Sequence, residues 1–326
     1  MKYLSPVLRA LLIVMVFAMA SGAATAQDFP RKPVRIVVPY PAGGLTDVLV
    51  RNIADGLTKA WGQPVLVDNK PGANTIIAAD FVAKSPADGY TLLLATDATV
   101  SMNQHLFSKL PYDPVKDFEP VIGMVKTMAF LITPSSLPVN NLPDLVRYAK
   151  ANPGKLNYGT FGPGSQAHID GETFSKIAGV SMTPIPYKGV ADVLSGMMGG
   201  QVQVMFSSIG SALPGIKAGR LKALAVDAPQ RWSPLADVPT FAQQDFPTFR
   251  SRGWFGFVAP AGTPKAVVDK IAQSVSAIIS ARDFEAAQIR EMGLEPQVMQ
   301  PAQFAQFLVT DREFYSRELK GVKLVD

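Results

Sequence analysis

Apolar positions along the chain fall into two rhythms: short unbroken runs, and longer stretches with a period near 3.6 residues. Val34-Arg-Ile-Val-Val38 predicts a buried strand, which Pro39-Tyr40-Pro41-Ala42-Gly43-Gly44 stops. Leu49, Val50, Ile53, Ala54, Leu57 and Trp61 then recur at helical spacing. Pro64-Val-Leu-Val-Asp68 predicts a second strand, Ile76 to Val82 a helix, and Tyr90-Thr-Leu-Leu-Leu-Ala95 a third strand. This βαβ succession argues for a parallel sheet covered by helices on both faces. The rhythm restarts around Met128-Ala-Phe-Leu-Ile-Thr133. A helix from Asp144 turns Leu145, Val146 and Ala149 inward, and Leu156-Asn-Tyr-Gly159 predicts a strand. After a glycine turn comes a helix carrying Ile169, Phe174 and Ile177, then a helix from Val190 to Met198. Strands are expected at Val202 to Phe206 and Leu221 to Val226. Trp254-Phe-Gly-Phe-Val258 opens a third section. It is closed by one helix marked by Val267, Val268, Ile271, Val275 and Ile278, and another by Phe304, Phe307, Leu308, Phe314 and Leu319. The pattern supports two α/β lobes plus a helical C-terminal section, and periodicity alone does not say which lobe owns that section.

The first 26 residues stand outside this pattern. Lys2 and Arg9 precede an apolar run from Ala10 to Ala20, and small residues follow, ending Ala24-Thr25-Ala26. A positive start, a short apolar middle and an A-x-A exit describe a secretory signal peptide, with the mature chain starting at Gln27. Eleven apolar residues are too few to span about 30 Å of hydrocarbon; an uncleaved anchor is the competing reading. The 326 residues leave room for about two domains of ordinary size. The chain contains no cysteine, which excludes a disulfide scaffold, a zinc–cysteine site, a lipoprotein anchor and a cysteine nucleophile. Of 31 Lys and Arg, two lie in the leader, leaving 29 against 26 Asp and Glu, a net charge of +3. The basic residues are scattered, without the clustered basic face that nucleic acid binding requires.

Candidate chemistry concentrates in two glycine turns. Pro41-Ala42-Gly43-Gly44-Leu45-Thr46-Asp47 joins the first strand to the first helix. Adjacent glycines permit positive φ and close approach of a ligand to the backbone. Thr46 and Asp47 are good capping types, and a helix start offers free amides and a partial positive charge to an anion. The plainer reading is a tight turn before a capped helix, with Asp47 as the cap. Gly159-Thr-Phe-Gly162-Pro-Gly164-Ser165-Gln-Ala-His168 stands in the same strand-to-helix position in the second lobe. Its spacing does not fit a dinucleotide fingerprint, and the P-loop Lys-Ser/Thr pair is missing. Two helix N-termini, one per lobe, could meet one anion across a cleft, the favoured place for a ligand. Neutral amides holding a carboxylate suit capture and release, at about 1.5–3 kcal/mol per charge-assisted bond.

Catalytic sets are poor. His105 and His168 have no neighbours at metal spacing, and His168 reads as a structural donor. No G-x-S-x-G elbow occurs, and no carboxylates pair suggestively in the sequence. The reading at this level is no enzyme, no cofactor and no metal.

The ordered pieces Val37-Val-Pro-Tyr-Pro-Ala-Gly-Gly-Leu-Thr-Asp47, Gly62-Gln-Pro-Val-Leu-Val-Asp-Asn-Lys-Pro-Gly-Ala73, Ala87-Asp-Gly-Tyr-Thr-Leu-Leu-Leu94, Leu110-Pro-Tyr-Asp-Pro114, Pro186-Tyr-Lys-Gly189, Gly199-Gly-Gln-Val202, Leu224-Ala-Val226, Ala236-Asp-Val-Pro-Thr240 and Ala259-Pro-Ala-Gly-Thr-Pro264 cover the mature chain. Together they resemble the Bug (TctC-type) family, the periplasmic solute receptors of tripartite tricarboxylate transporters. The resemblance implies an α/β, two-lobed periplasmic binding protein (type II-like), each lobe a sheet flanked by helices, with the ligand cleft between. Residues 27–127 plus 250–326 would form lobe 1 and 128–249 lobe 2. It further implies a monomer that captures a small organic carboxylate, partly through ordered waters, and presents it to membrane transporter subunits or a sensor. Carried over, Ala42, Gly43, Gly44, Thr46 and Asp47 form one jaw, and Gly162, Gly164, Ser165 and His168 the other. Thr96 to Thr99, Asp97 included, and Ser207 and Ser208 would face the ligand's far end, with Tyr187 and Lys188 shaping the cleft wall.

Departures from the family pattern bear on the ligand. Asn74-Thr75 stands where more glycine is usual, and Gln203 where an acid is common. Asp97 stands where small polar residues are frequent. It would disfavour a second free carboxylate and meet a hydroxyl, an amine or a ring nitrogen; as a plain alternative it caps a helix. A secreted enzyme acting on small acids is the competing class.

Overall fold

The computed structural model describes residues 29–320, so the expected signal peptide lies outside the described residues. The first strand, β1 (Val34–Val38), buries four of its five side chains, as an apolar run between two helical layers should. It pairs in parallel with β2 (Val65–Asn69) and β3 (Thr91–Thr96). Helix α1 (Leu45–Trp61) connects the first two strands and buries Leu45, Leu49, Val50, Ile53, Ala54 and Leu57 along one stripe. It ends at Gly62, whose left-handed backbone (φ 65°) lets its N–H reach the Thr58 carbonyl. Helix α2 (Ile76–Ala83) leads to β3.

Beyond β3 the sheet departs from the expected all-parallel arrangement. β4 (Phe118–Thr127) and β10 (Trp254–Pro260) run antiparallel to each other, and β10 also lies antiparallel against β3. β11 (Leu294–Met299) is the far edge, giving a mixed six-stranded order β11-β4-β10-β3-β1-β2. The parallel expectation fails because the chain leaves this sheet after β4, builds a second one, and re-enters through β10 from the opposite end.

The second sheet contains β5 (Phe130–Pro134), β6 (Asn157–Thr160), β7 (Thr183–Pro186), β8 (Val204–Ser207) and β9 (Leu221–Val226), in the order β7-β6-β8-β5-β9. Helices α3 (Leu142–Ala151), α4 (Gln166–Ala178) and α5 (Val190–Met198) accompany it. Its core gathers Leu131, Leu145, Tyr158, Phe174, Phe206, Phe241 and Phe249. Phe241 and Phe249 stack at 4.0 Å between ring centroids.

The helical C-terminal section belongs to the first sheet. Val267, Val268, Ile271, Ala272 and Val275 of α6 (Lys265–Ile279) share one core with β1 and α1. Phe304 and Leu308 of α7 (Pro301–Glu318) pack with Val37, Leu93, Ala95 and Trp254 on the other face. Each such fully buried side chain contributes about 1.5–3 kcal/mol from apolar burial. The end of α7 continues past this core, and Tyr315 and Leu319 pack with Ala98, Met102 and Leu106, with Ile169 of α4 against them. The last helix therefore touches both lobes.

Candidate ligand-binding site

Two strand-to-helix turns, one from each sheet, face each other across a cavity of about 170 Å³. That volume slightly exceeds the roughly 150 Å³ of an apolar cavity that takes up benzene, so a compact small molecule fills it. The jaws are closed on it. A Cβ added at Gly189, in the second lobe, would lie 3.4 Å from Pro41 Cδ of the first turn. One at Gly210 would lie 3.0 Å from Leu45 Cδ1.

In the first turn Gly43 adopts φ +82° and gives its N–H to Asp47 Oδ2 at 2.8 Å. Asp47 is only 3% exposed and also accepts Arg51 Nε at 2.9 Å and Asn69 Nδ2 at 3.0 Å. Burial opposes its charge, but the bonds from Arg51, Gly43 and Asn69 prevail and hold its carboxyl below the usual range. Asp47 thus braces the turn from behind. The α1 N-cap is Gly44, in an extended conformation without a side-chain cap bond, rather than Thr46 or Asp47. The N–H groups of Leu45 and Thr46 have no acceptor among the described residues, and both residues line the cavity. The Thr46 side chain, 8% exposed, also makes no hydrogen bond there.

The second turn is built in the same way. Gly162 (φ +106°) and Gly164 (φ +73°) shape it. Ser165 is the N-cap of α4, yet its Oγ accepts the Phe161 N–H at 3.1 Å instead of capping the helix. His168 Nδ1 accepts the Gly164 N–H at 2.9 Å, so the ring is an acceptor here and not the donor expected. Burial lowers its pKa against the nearby Glu172 charge, consistent with a neutral ring protonated on Nε2. The N–H groups of Gln166 and Ala167 have no acceptor among the described residues, and both residues line the cavity.

Of the residues singled out in the sequence, Ala42, Gly44, Thr46, Asp97, Ser165, Ser207 and Ser208 line the cavity, whereas Tyr187 and Lys188 are not among its lining residues. Gly43, Asp47, Gly162, Gly164 and His168 stand behind it as bracing. Thr96 lies deeper, its Oγ1 3.2 Å from Thr99 Oγ1, which donates to Thr75 Oγ1. Gln203 serves the scaffold, accepting the Asn157 N–H and donating to the Gly200 carbonyl. Asp97 is a cap, as the plain alternative has it: its Oδ1 accepts the Ala98 N–H at 2.8 Å at the start of the π-helical turn Ala98–Met102, and the residue also lines the cavity.

Sequence reasoning missed Asp170, Ser251 and Phe255. Asp170 lies on the buried stripe of α4 with Ala167, Gly171 and Phe174, and an acid on such a stripe was the available signal. Its Oδ1 accepts Gln166 Nε2 at 2.7 Å and its Oδ2 accepts Ser251 Oγ at 3.0 Å. Tyr315 on α7 donates to Gln166 Oε1 at 2.8 Å, linking the first sheet's last helix to the second lobe. Burial, then the Asp311 charge, raises Asp97 to about 7. Burial raises Asp170 to about 8 against the bonds from Gln166 and Ser251. No Lys, Arg or His is among the described residues lining the cavity.

Two sheets that close on one cavity, each presenting a helix N-terminus to it, define a two-lobed solute-binding protein. Residues 49–319 match the family model described as tripartite tricarboxylate transporter family receptor, and the chain belongs to that family. It is 36% identical to protein BugT of Bordetella pertussis over 265 residues, 80% of this chain and 81% of BugT. Among solved structures it is similar to an R. palustris protein with adipate (TM-score 0.87, 34% identity, 91% of this chain and 100% of that one). It is also similar to the periplasmic binding protein BugD (TM-score 0.85, 31% identity, 91% and 100%). MatC of Rhodopseudomonas palustris with bound malate superposes with a TM-score of 0.81 at 30% identity, over 89% and 100% of the two chains. No helix among the described residues is long and apolar enough to cross a membrane.

Proposed function

We propose that this chain is an exported periplasmic receptor that captures a small organic carboxylate between residues 27–127 plus 250–326 and residues 128–249, and presents it to a membrane transporter. One observation carries the reading. The cavity is met from opposite sides by the free N–H groups of Leu45 and Thr46 and of Gln166 and Ala167, at the starts of helices of 17 and 13 residues. Such amides, with the partial positive charge of each helix start, hold a carboxylate without a cationic side chain. Both turns are braced internally, by Asp47 on Gly43 and His168 on Gly164, so the amides are aimed before the ligand arrives and little ordering cost remains. The adipate and malate seen in related structures support the same ligand class. The ligand favours the closed form because only there do both sets of amides reach it.

Isothermal titration with small mono- and dicarboxylic acids and amino acids, each beside its methyl ester, tests this. The free acids bind and the esters of the gripped carboxyl do not. Equal binding of acid and ester overturns the reading. Mass spectrometry of the recovered ligand should return it unchanged; turnover would support the enzyme class instead.

A further inference from the structure

We propose that the inner end of the cavity holds a positively charged nitrogen of the ligand between Asp97 and Asp170, so that the captured molecule is a zwitterion with a carboxylate at one end and an ammonium or protonated ring nitrogen at the other. The proposal rests on the carboxylate-receptor reading and narrows it.

The hydrogen-bond polarity of the wall carries the argument. Tyr315 has one hydroxyl proton and two oxygen neighbours, Gln166 Oε1 at 2.8 Å and Asp97 Oδ2 at 3.4 Å. The Gln166 orientation is set by its Nε2, which donates to Asp170 Oδ1. Its Oε1 is therefore an acceptor only, and a 2.8 Å contact between two oxygens requires the tyrosine proton between them. Asp97 Oδ2 is left without a donor, in a side chain only 4% exposed that lines the cavity. While Asp97 is ionised, a buried carboxylate oxygen without a donor is costly, and the cavity is the open side from which a ligand can supply one. The Thr46 hydroxyl, which makes no hydrogen bond among the described residues, gives the cavity a second unspent polar group on the same lobe.

Charge selects the kind of donor. Asp97 is faced by Asp311 and Tyr315 on α7, by Asp170 on α4 and by Tyr40 of the first turn. The cations Arg252 and Arg312 act on Asp311 rather than on the cavity wall. Asp170 comes from the opposite lobe; its bonds from Gln166 and Ser251 favour the charged form, while burial and the charges of Asp97 and Asp227 oppose it and hold its pKa up at about 8, so a nearby cation is what draws it into its charged form. A cation between the two acids is attracted by both lobes at once and strengthens closure. A second carboxylate meets negative groups on both sides unless Asp97 and Asp170 are protonated.

The two occupants have opposite pH dependences. A cation binds the ionised carboxyls, so its binding expels protons where Asp97 and Asp170 are protonated, and affinity falls as pH drops below about 8 and through about 7. A dicarboxylate needs the protonated form, and its affinity rises over the same range.

The test uses the purified protein after dialysis to remove co-purified ligand. Titration calorimetry at pH 7.5 compares matched trios of equal chain length from three to six carbons: the amino acid, the monocarboxylate and the dicarboxylate, with α- and ω-amino isomers and pyridine carboxylates included. An amino or pyridine acid should bind at least about tenfold more tightly than its matched dicarboxylate. Its affinity should fall from pH 7.5 to pH 5.5. Asp97→Asn should weaken it by about 30-fold or more and flatten its pH dependence. A parent-like circular dichroism spectrum and melting curve show that the variant is folded; if it is not, the pH profile of the unaltered protein decides. A dicarboxylate that binds as tightly as the amino acid, with affinity rising at low pH, overturns the proposal and leaves the receptor reading standing. Binding of methyl esters, or of none of these acids at millimolar concentration, overturns both.

Discussion

Gly43 sits at φ +82°, where any residue with a Cβ is strained, whereas its neighbour Gly44 is extended and has room for a Cβ, with only the Pro41 carbonyl at 3.7 Å. Gly43→Ala should therefore destabilise the fold by about 1–2 kcal/mol, read as a lower urea midpoint. Gly44→Ala should be neutral in that measurement, while Gly44→Leu should fold and lose ligand binding because the side chain enters the cavity. A Gly44→Leu protein that binds like the parent would remove this turn from the site. At Ser165 the hydroxyl supports the Phe161 N–H and not the helix, so Ser165→Ala should cost about 0.5–2 kcal/mol of stability by leaving that donor unpaired. Denaturant unfolding checks it. Asp97 and Asp170 set a pH dependence. An aspartate titrates near about 3.9 when unfolded; these two carboxyls, raised to about 7 and about 8 by burial, hold their protons more tightly when folded. Between those values the folded chain binds more protons, so stability falls as pH rises from about 4 towards 8. The melting temperature of ligand-free protein should drop over that interval, and Asp170→Asn should flatten the slope.

At the level of elements, the helices and central strands were legible because their apolar periods are local. Three strands were not, and prolines explain two of them. β7 is Thr-Pro-Ile-Pro and β11 contains Pro296; both are edge strands, where a missing N–H costs no ladder bond, so neither resembles a central strand. β4 carries Pro120 and pairs with β10 through register shifts at Phe255/Gly256 and Phe257/Val258, which blurs the alternation. Nor does an apolar run carry a direction, so the antiparallel return of β10 was invisible. The glycine turns were readable because seven to ten contiguous residues make each of them. Asp170 with Ser251, and Gln166 with Tyr315, join across 81 and 149 residues and are assembled only by folding. Gly256 shows how tightly β10 is seated. A Cβ there would lie 2.6 Å from Phe304 Cζ and 2.7 Å from the Ile122 carbonyl, which cannot swing aside as a side chain does. Gly256→Ala should destabilise by about 1–3 kcal/mol through overpacking. Thermal unfolding checks this, and an unchanged midpoint would mean that β4 and α7 give way more easily than their packing implies.

For the whole molecule the decisive equilibrium is between open and closed lobes, and α7 links them. This helix is anchored on the first sheet by Phe304 and Leu308, and its Tyr315 reaches across to Gln166 at the start of α4, beside the free amides. The bond exists only when the lobes are together, so it belongs to the closed state and not to the stability of either lobe. Removing it should reduce the closed fraction, and apparent affinity falls in proportion to that fraction. A net hydrogen-bond contribution of about 0.5–1.5 kcal/mol translates into about a two- to tenfold loss of affinity in Tyr315→Phe. The chain contains no cysteine, so Lys59→Cys on the exposed end of α1 and Lys176→Cys on the exposed side of α4 place one dye on each lobe without background labelling. Energy transfer between them should rise on ligand addition in the parent. In Tyr315→Phe it should start lower and need more ligand to reach the same plateau, because the closed geometry itself is unchanged. Equal starting transfer and equal affinity in the two proteins would show that α7 merely rests against the second lobe and takes no part in holding the cleft shut.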